Sequence, residues 1–295
     1  MKTAIGIDLG GTNVKGIIVN EKGEILKQHY VPTYDDPDGK WRENVIEAVR
    51  FLKKEYSGTI DVIGLSAPGF ADETNKFIAH FPNRLAGLEN FVWEKNFETP
   101  TFVLNDAHAA LMAEAKFGAL SDCKNGILLT LGTGVGGGIL INGELYQGLN
   151  QMAGHLGHIS IDTTDDELSI LGIPGTIEYA MGNYSIARRS RGKFQSTKSL
   201  LEAYQAGDTF ATWLWLDSLR KLAVFISSMI VTFSPEAVVI SGGITLAKAD
   251  LFKPLADFME LFEFRLNGHK VPIRQGKFED FSGAIGAAGF ALAKV

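Results

Sequence analysis

Apolar and polar positions fall in short blocks punctuated by glycine. Ala4-Ile5-Gly6-Ile7-Asp8 predicts a strand that runs into Gly10-Gly11, and the apolar run Val14 to Val19 predicts its hairpin partner. Asn20 to Gly23 is a polar turn, and Glu24-Ile25-Leu26 begins a third strand. The pattern then recurs. Gly126 to Leu131 is an apolar strand ending in a glycine turn, and Gly138 to Ile141 is the returning strand. Asn142-Gly143 is a tight hairpin turn, and Glu144-Leu145-Tyr146 starts the next strand. Strand, glycine turn, strand, Asn/Gly turn and Glu-led strand thus occur twice, which points to an internal duplication. Two similar halves facing one another would enclose a cleft, a favoured place for a ligand.

Between and beyond these units the periodicity changes. Trp41, Val45, Ala48, Val49 and Leu52 share one face of a predicted helix from Trp41 to Leu52. Asp61 to Ser66 predicts a short buried strand, broken by Ala67-Pro68-Gly69. Thr101 to Leu104 predicts a strand and Ala107 to Phe117 a helix stopped by Gly118. The mixed acidic stretch 163–175 predicts a loop with a short helix, and Thr176 to Arg188 and Thr209 to Phe233 predict helices. Ala237 to Ile240 is a strand entering Ser241-Gly242-Gly243, and Ser282 to Val295 is a helix of closely spaced small residues, Gly283, Ala284, Gly286, Ala287 and Ala288. No low-complexity linker interrupts the chain. The expected division is a first α/β lobe over 1–116, completed by the helix 282–295, and a larger one over 117–281.

Composition narrows the function classes. With 295 residues and 45% hydrophobic content, the chain can bury a core large enough for two lobes. A net charge of −6 argues against a general nucleic-acid binder and means that any polyanionic ligand must be held by local donors. The single cysteine, Cys123, excludes a disulfide framework within the chain and a thiolate-rich zinc site, and fits a reducing cytoplasm. The N-terminal segment has no signal-peptide pattern. The longest apolar-rich stretch, Leu222 to Phe233, is far short of a membrane span and contains Ser227 and Ser228, so it reads as a buried helix. Neither a membrane nor a nucleic acid is an expected partner.

Three glycine elements carry candidate chemistry. In Asp8-Leu-Gly10-Gly11-Thr12-Asn13-Val-Lys15, glycines at a strand–strand turn let backbone N–H groups approach a phosphate. Thr12 adds a hydroxyl, Lys15 a point charge, and Asp8 a carboxylate suited to Mg²⁺, directly or through water. The alternative is a Gly-Gly hairpin with solvated flanks. The second element, Gly132-Thr133-Gly134-Val135-Gly136-Gly137-Gly138, contains GxGxxG but leads into a strand, so the dinucleotide reading fails on context. A phosphate-wrapping hairpin remains, and its recurrence in a duplicated unit strengthens it. Against the third, Ser241-Gly242-Gly243-Ile244, a nucleotide base or ribose could lie, or it is an ordinary tight turn. Asn105-Asp106 stands between a strand and a helix. There Asp106 is either a helix N-cap or the carboxylate that phosphoryl transfer needs to accept the proton of an attacking hydroxyl.

In order, residues 6–16 (GIDLGGTNVKG), 104–110 (LNDAHAA), 130–138 (TLGTGVGGG), 153–158 (AGHLGH), 175–180 (GTIEYA) and 240–244 (ISGGI) resemble the ROK family (repressors, open reading frames and kinases) of sugar kinases. The resemblance covers nearly the whole chain. It implies an α/β, duplicated actin-like ATPase (ribonuclease H-like) fold of two lobes around a cleft. It implies an ATP- and Mg²⁺-dependent, glucokinase-like transfer to a hexose hydroxyl, the 6-hydroxyl foremost, by a cytoplasmic homodimer. Asp106 would be the catalytic base, and Asn83, Asn105, His155, His158 and Glu178 would contact the sugar. Asp8, Gly10, Gly11, Thr12 and Lys15 would serve phosphate and magnesium, Gly132, Thr133 and Gly134 the second phosphate turn, and Gly242 and Gly243 the adenosine.

Two departures from the family pattern matter. Many members follow the His158 position with a CxCGxxGC zinc site, whereas Glu167 to Thr176 holds no cysteine, so no structural zinc is expected. The family usually has Glu where His155 stands, and a histidine offers fewer acceptors to sugar hydroxyls. His155 thus motivates a competing reading as a catalytically weakened sugar sensor. A polyphosphate-dependent hexokinase is another. A sugar-responsive repressor would need an N-terminal helix-turn-helix, for which a phosphate motif starting at residue 6 leaves no room. Trp213-Leu-Trp215 reads as a core or dimer-interface face, and Arg188-Arg189-Ser-Arg191 as a solvated helix end.

Overall fold

The computed structural model describes residues 2–33, 38–81, 84–278 and 280–295. Its strands are β1 (Thr3–Leu9), β2 (Asn13–Asn20), β3 (Ile25–Pro32), β4 (Val62–Ala67), β5 (Phe70–Ala71), β6 (Ile78–His80), β7 (Thr101–Asn105), β8 (Gly126–Leu131), β9 (Val135–Ile141), β10 (Glu144–Tyr146), β11 (Ala237–Ser241) and β12 (Ile273–Gln275). Its helices are α1 (Trp41–Glu55), α2 (Glu94–Phe97), α3 (Asp106–Phe117), α4 (Ile177–Met181), α5 (Ile186–Arg189), α6 (Thr197–Gln205), α7 (Thr209–Phe233), α8 (Ala249–Phe262) and α9 (Ser282–Leu292).

The strands confirm the duplication. One sheet has the order β3-β2-β1-β4-β7 and another the order β10-β9-β8-β11-β12. In each, a hairpin leads to an outer third strand on one side, and the later strands join the first strand in parallel on the other. This is the duplicated actin-like ATPase arrangement. The predicted Asn142-Gly143 turn has both residues at positive φ, 54° and 81°, as a type I′ hairpin requires. The chain divides into two compact units, residues 1–122, 138–154 and 277–295 in the first and 123–137 and 155–276 in the second. Residues 138–154 therefore group with the N-terminal residues, whereas the sequence-based division placed them after 117.

In the first unit the apolar alternation resolves into two buried layers. Trp41, Val45, Ala48, Val49 and Leu52 of α1 are buried, as their spacing predicts. On the other side of the sheet α9 lies against β1 and β4 with almost no side chain between backbones. A Cβ at Gly6 would come within 2.1 Å of the Ala284 carbonyl oxygen, and one at Gly64 within 2.0 Å of the Ala287 oxygen. The small residues of α9 are thus one half of a contact whose other half is glycine on the strands.

In the second unit β8, β11 and β12 run parallel, and α7 buries Leu214, Trp215, Leu219, Leu222, Phe225 and Ile226. Trp215 is core, with its indole N–H donating to the Asp250 carbonyl at 2.9 Å, whereas Trp213 is exposed. The helix expected over 176–188 is broken. Gly182 takes an extended conformation and the chain re-enters as a short 3-10 turn, Asn183–Ser185, before α5. The basic run after it is not wholly solvated either: Arg189 donates to Ser185 Oγ at 2.9 Å and to Ser218 Oγ at 2.6 Å. No helix among the described residues is long and apolar enough to cross a membrane.

The backbone contact of α9 gives a sharp expectation. A Cβ at Gly286 would meet the Ala109 carbonyl oxygen of α3 at 1.7 Å, so Gly286→Ala should destabilise the protein by about 1–3 kcal/mol in urea unfolding. A change within about 0.5 kcal/mol would show that α3 and α9 are not in backbone contact.

Candidate active site

The first unit places Asp8 near the end of β1, in register with Lys15 of β2 and Ser66 of β4. Asp8 Oδ1 accepts from Ser66 Oγ at 2.8 Å, and the start of α9 closes over the same oxygen, since a Cβ at Gly283 would approach it to 2.5 Å. Burial raises the pKa of Asp8 above its ordinary value, and Asp280 adds to the rise, while Ser66 and Lys15 oppose it. The Lys15 ammonium itself is held elsewhere, donating to Asp280 Oδ1 at 2.7 Å and to the Asp280 carbonyl at 2.9 Å. Tyr30 donates to the other Asp280 oxygen at 3.1 Å. The turn between the strands is closed by Gly10 N–H to the Asn13 carbonyl at 3.1 Å, and leaves Gly11 and Thr12 exposed.

The adjacent pair Asn105-Asp106 divides two tasks that the sequence left open. Asn105, not Asp106, is the N-cap of α3: its Oδ1 accepts from the N–H of Ala107 at 2.9 Å and of His108 at 3.3 Å. Its Nδ2 donates to the Gly69 carbonyl at 2.9 Å, so the amide is committed to the protein on both ends. Asn105 has the extended backbone that a cap needs, which makes Asp106 the first helical residue. Asp106 Oδ1 accepts from the Ala107 N–H at 2.8 Å, and the side chain remains accessible. The protein mass around it raises its pKa from 3.8 to about 6. The Ala107 N–H opposes the rise, the negative charge of Asp8 reinforces it, and Asn105 opposes it.

Two residues along α3, His108 is buried and its pKa is pushed down to about 4 by desolvation. It is therefore neutral near pH 7, with Nε2–H donating to the Ala153 carbonyl at 2.8 Å. That bond ties the loop after β10 to the helix that carries Asp106.

In the second unit the turn Gly132-Thr133-Gly134 is closed by Gly132 N–H to the Gly134 carbonyl at 3.0 Å. The two glycines are present for different reasons. A Cβ at Gly134 would come within 2.4 Å of Glu178 Oε1, so that position is tight within the protein. A Cβ at Gly132 would meet nothing within 4 Å, and the same holds at Gly243. Both open positions line a cavity of about 740 Å³, together with Thr133, Asn183, Thr197 and Ile244. Gly242 serves the fold instead: its φ is +92° and a Cβ would meet the Leu131 carbonyl oxygen at 2.5 Å. Beyond it the chain forms a 3-10 turn, Gly243–Ala247, and then α8.

Glu178 lies on α4, capped by Thr176 Oγ1 accepting from the Tyr179 N–H at 3.2 Å. Burial raises its pKa above 4.5, while His158 and the backbone N–H groups of Val135 and Ile170 pull it down. Glu178 Oε2 and His158 Nδ1 are buried without a hydrogen-bond partner in the protein. Two such orphaned polar atoms imply a polar ligand or ordered water. The His155 and His158 rings are parallel, 6.4 Å apart. The cysteine-free loop is held by backbone: Ser169 N–H donates to the Ile173 carbonyl at 2.9 Å, Gly175 N–H to the Glu167 carbonyl at 3.3 Å, and Arg188 pairs with Glu167. Among the described residues no group of three or more His, Cys, Asp and Glu could hold a metal ion. Asn83 lies outside the described residues.

Sequence reasoning missed Ser66, Asp280 and Asn183. Ser66 carried a weak signal, a polar residue at the end of a buried strand, and the other two carried none.

A model of the ROK family matches residues 4–294. The chain is 30% identical over 307 aligned residues to a glucokinase of Halalkalibacterium halodurans, covering 96% of this chain and 92% of that protein. It is 28% identical over 289 residues to an N-acetylmannosamine kinase of Escherichia coli, covering 96% of each. The crystal structure of a ROK hexokinase from Thermus thermophilus aligns with a TM-score of 0.89 at 28% identity, over 99% of this chain and 98% of that one.

The electrostatics of the first unit can be read directly. In a carbon-detected NMR titration the Asp106 carboxyl should have its midpoint at about 6, and Asp8→Asn should lower it by removing a neighbouring negative charge. A midpoint that does not move in Asp8→Asn would separate the two carboxylates.

Proposed function

Since this chain belongs to the ROK family, we propose that it is a sugar kinase, transferring the γ-phosphoryl group of MgATP to a hexose hydroxyl, the 6-hydroxyl foremost. The observation that carries this reading is the open backbone at Gly132 and Gly243 on the wall of the 740 Å³ cavity. Neither glycine is demanded by its protein neighbours, so the missing side chains serve a ligand. A hollow of that volume beside a glycine turn suits a nucleoside whose phosphates lie on the turn. A linear polyphosphate would leave such a hollow unused, which favours ATP as donor. The similarity to a glucokinase and to an N-acetylmannosamine kinase supports a sugar as acceptor.

In this reading Asp106 accepts the proton of the attacking hydroxyl. Because Asn105 takes the capping role, Asp106 is left with an accessible carboxyl, and its raised pKa brings it near the proton-transfer range. Asp8 is the ligand we assign to Mg²⁺. The residues present fit such an ion: two carboxylates whose charges disfavour each other, with substrate phosphates to complete the set. When bound, the ion neutralises charge on the phosphates. Gly10, Gly11 and Thr12 offer N–H and hydroxyl donors to phosphate, and Lys15 would have to leave Asp280 to add its charge. The orphaned Glu178 Oε2 and His158 Nδ1 are the natural partners of sugar hydroxyls, with His155 beside them. Asn83 and the second Nδ2–H of Asn105, the one not donated to Gly69, complete the proposed sugar ligands.

Asp106→Asn should retain sugar binding by calorimetry and lose turnover by about 10²–10⁴-fold or more in an ADP-release assay run across a panel of hexoses. Near-normal turnover would remove Asp106 from the role of base. The acid limb follows from the same group. A base must be deprotonated, and its folded pKa is raised, so kcat/KM, which reports the free protein, should fall tenfold per pH unit below about 6, not below 3.8. A limb that stays near 6 in Asp106→Asn would belong to another residue.

A further inference from the structure

We propose that Asn183 is a positioning residue for the donor nucleotide, joining the phosphate turn to the wall of the nucleoside cavity. The inference rests on the nucleotide reading of that cavity. Asn183 touches both parts at once. Its backbone N–H donates to the Gly132 carbonyl at 3.0 Å, and its side-chain Oδ1 accepts from the Thr197 N–H at 2.7 Å. Gly132, Asn183 and Thr197 all line the cavity.

The local geometry explains why this residue is placed so. Gly182 takes an extended conformation, and a Cβ there would meet the Glu178 carbonyl oxygen at 2.7 Å and the Tyr184 ring at 2.8 Å. The tight reversal presents two successive N–H groups to two successive carbonyls of the turn, Asn183 to Gly132 and Tyr184 to Thr133, each at 3.0 Å. The turn is thus pinned by backbone, and the pin is extended by one side chain.

The other end of that side chain meets a group with few options. Thr197 is the first residue of α6, where backbone N–H groups have no partner inside the helix. The N-cap Ser196 is already used, accepting from the Ser199 N–H at 3.2 Å in a capping box. Asn183 Oδ1 takes the Thr197 N–H that Ser196 leaves. The start of α6 is therefore set by the residue that holds the Gly132 carbonyl. A nucleotide that lies on both surfaces finds them at a fixed separation, and loss of the side chain frees one from the other.

The test compares two probes on the full-length chain, adenosine, which needs the wall alone, and MgADP, which needs the wall and the turn. For the wild type, MgADP should bind more tightly than adenosine by calorimetry and ligand-observed NMR. In Asn183→Ala the ratio of the two dissociation constants should shrink about five- to tenfold, the effect of losing one well-placed hydrogen bond. Asn183→Asp keeps the Oδ1 acceptor, so Thr197 stays held and adenosine should bind as in the wild type. A variant that only loosens the fold would lower the melting temperature and leave the ratio unchanged, which would overturn the proposal. If the wild type binds neither probe, the nucleotide reading fails, and this inference falls with it for that separate reason.

Discussion

The arrangement depends on backbone meeting backbone where no Cβ intervenes. In the first unit, Gly6 and Gly64 let the carbonyls of α9 settle on the sheet, Gly286 admits α3, and Gly283 closes over the Asp8 carboxylate. The position of Asp8 is therefore fixed by close packing, not by a long side chain that can adjust. In the second unit the same principle holds on both sides of the glycine turn, where Gly157 makes room for the Val135 carbonyl oxygen and Gly242 for that of Leu131. Contacts of this kind cannot be relaxed by choosing another rotamer, so they suit elements whose separation has to be held closely.

Around that frame, adjacent residues of similar type take different parts. Asn105 satisfies the N-terminus of α3 and thereby leaves the Asp106 side chain accessible. His108, kept neutral by burial, holds the Ala153 carbonyl from the same helix. Gly242 adopts a conformation the fold requires, and Gly243 beside it leaves space the fold does not use. Each pair shows why the residue type alone is ambiguous. An Asp at a strand–helix junction can serve as a cap or as a base, and a glycine packed against backbone and one facing open space are the same letter.

Much of the fold was legible in the chain. The twofold recurrence of hairpins, the buried face of α1 and the Asn142-Gly143 turn follow from periodicity and turn chemistry, which are local. The break of the 176–188 helix was not, because Gly182 is a weak breaker by itself and what decides it is the pull of two N–H groups toward the carbonyls of Gly132 and Thr133. The solvated reading of Arg189 failed for a related reason: Ser218, one of its two hydroxyl partners, is 29 residues away.

What the sequence determined by itself is the set of elements and the short motifs that could carry phosphate chemistry, since both depend on residues close along the chain. Only the tertiary structure decided which member of Asn105-Asp106 is the cap, that Lys15 is held by Asp280, which glycines face open space, and that Asn183 joins the Gly132 turn to α6. These are outcomes of competition between partners distant in sequence. Geometry settles such a competition by bringing one hydrogen-bonding group to another at about 3 Å while the rest stay out of reach.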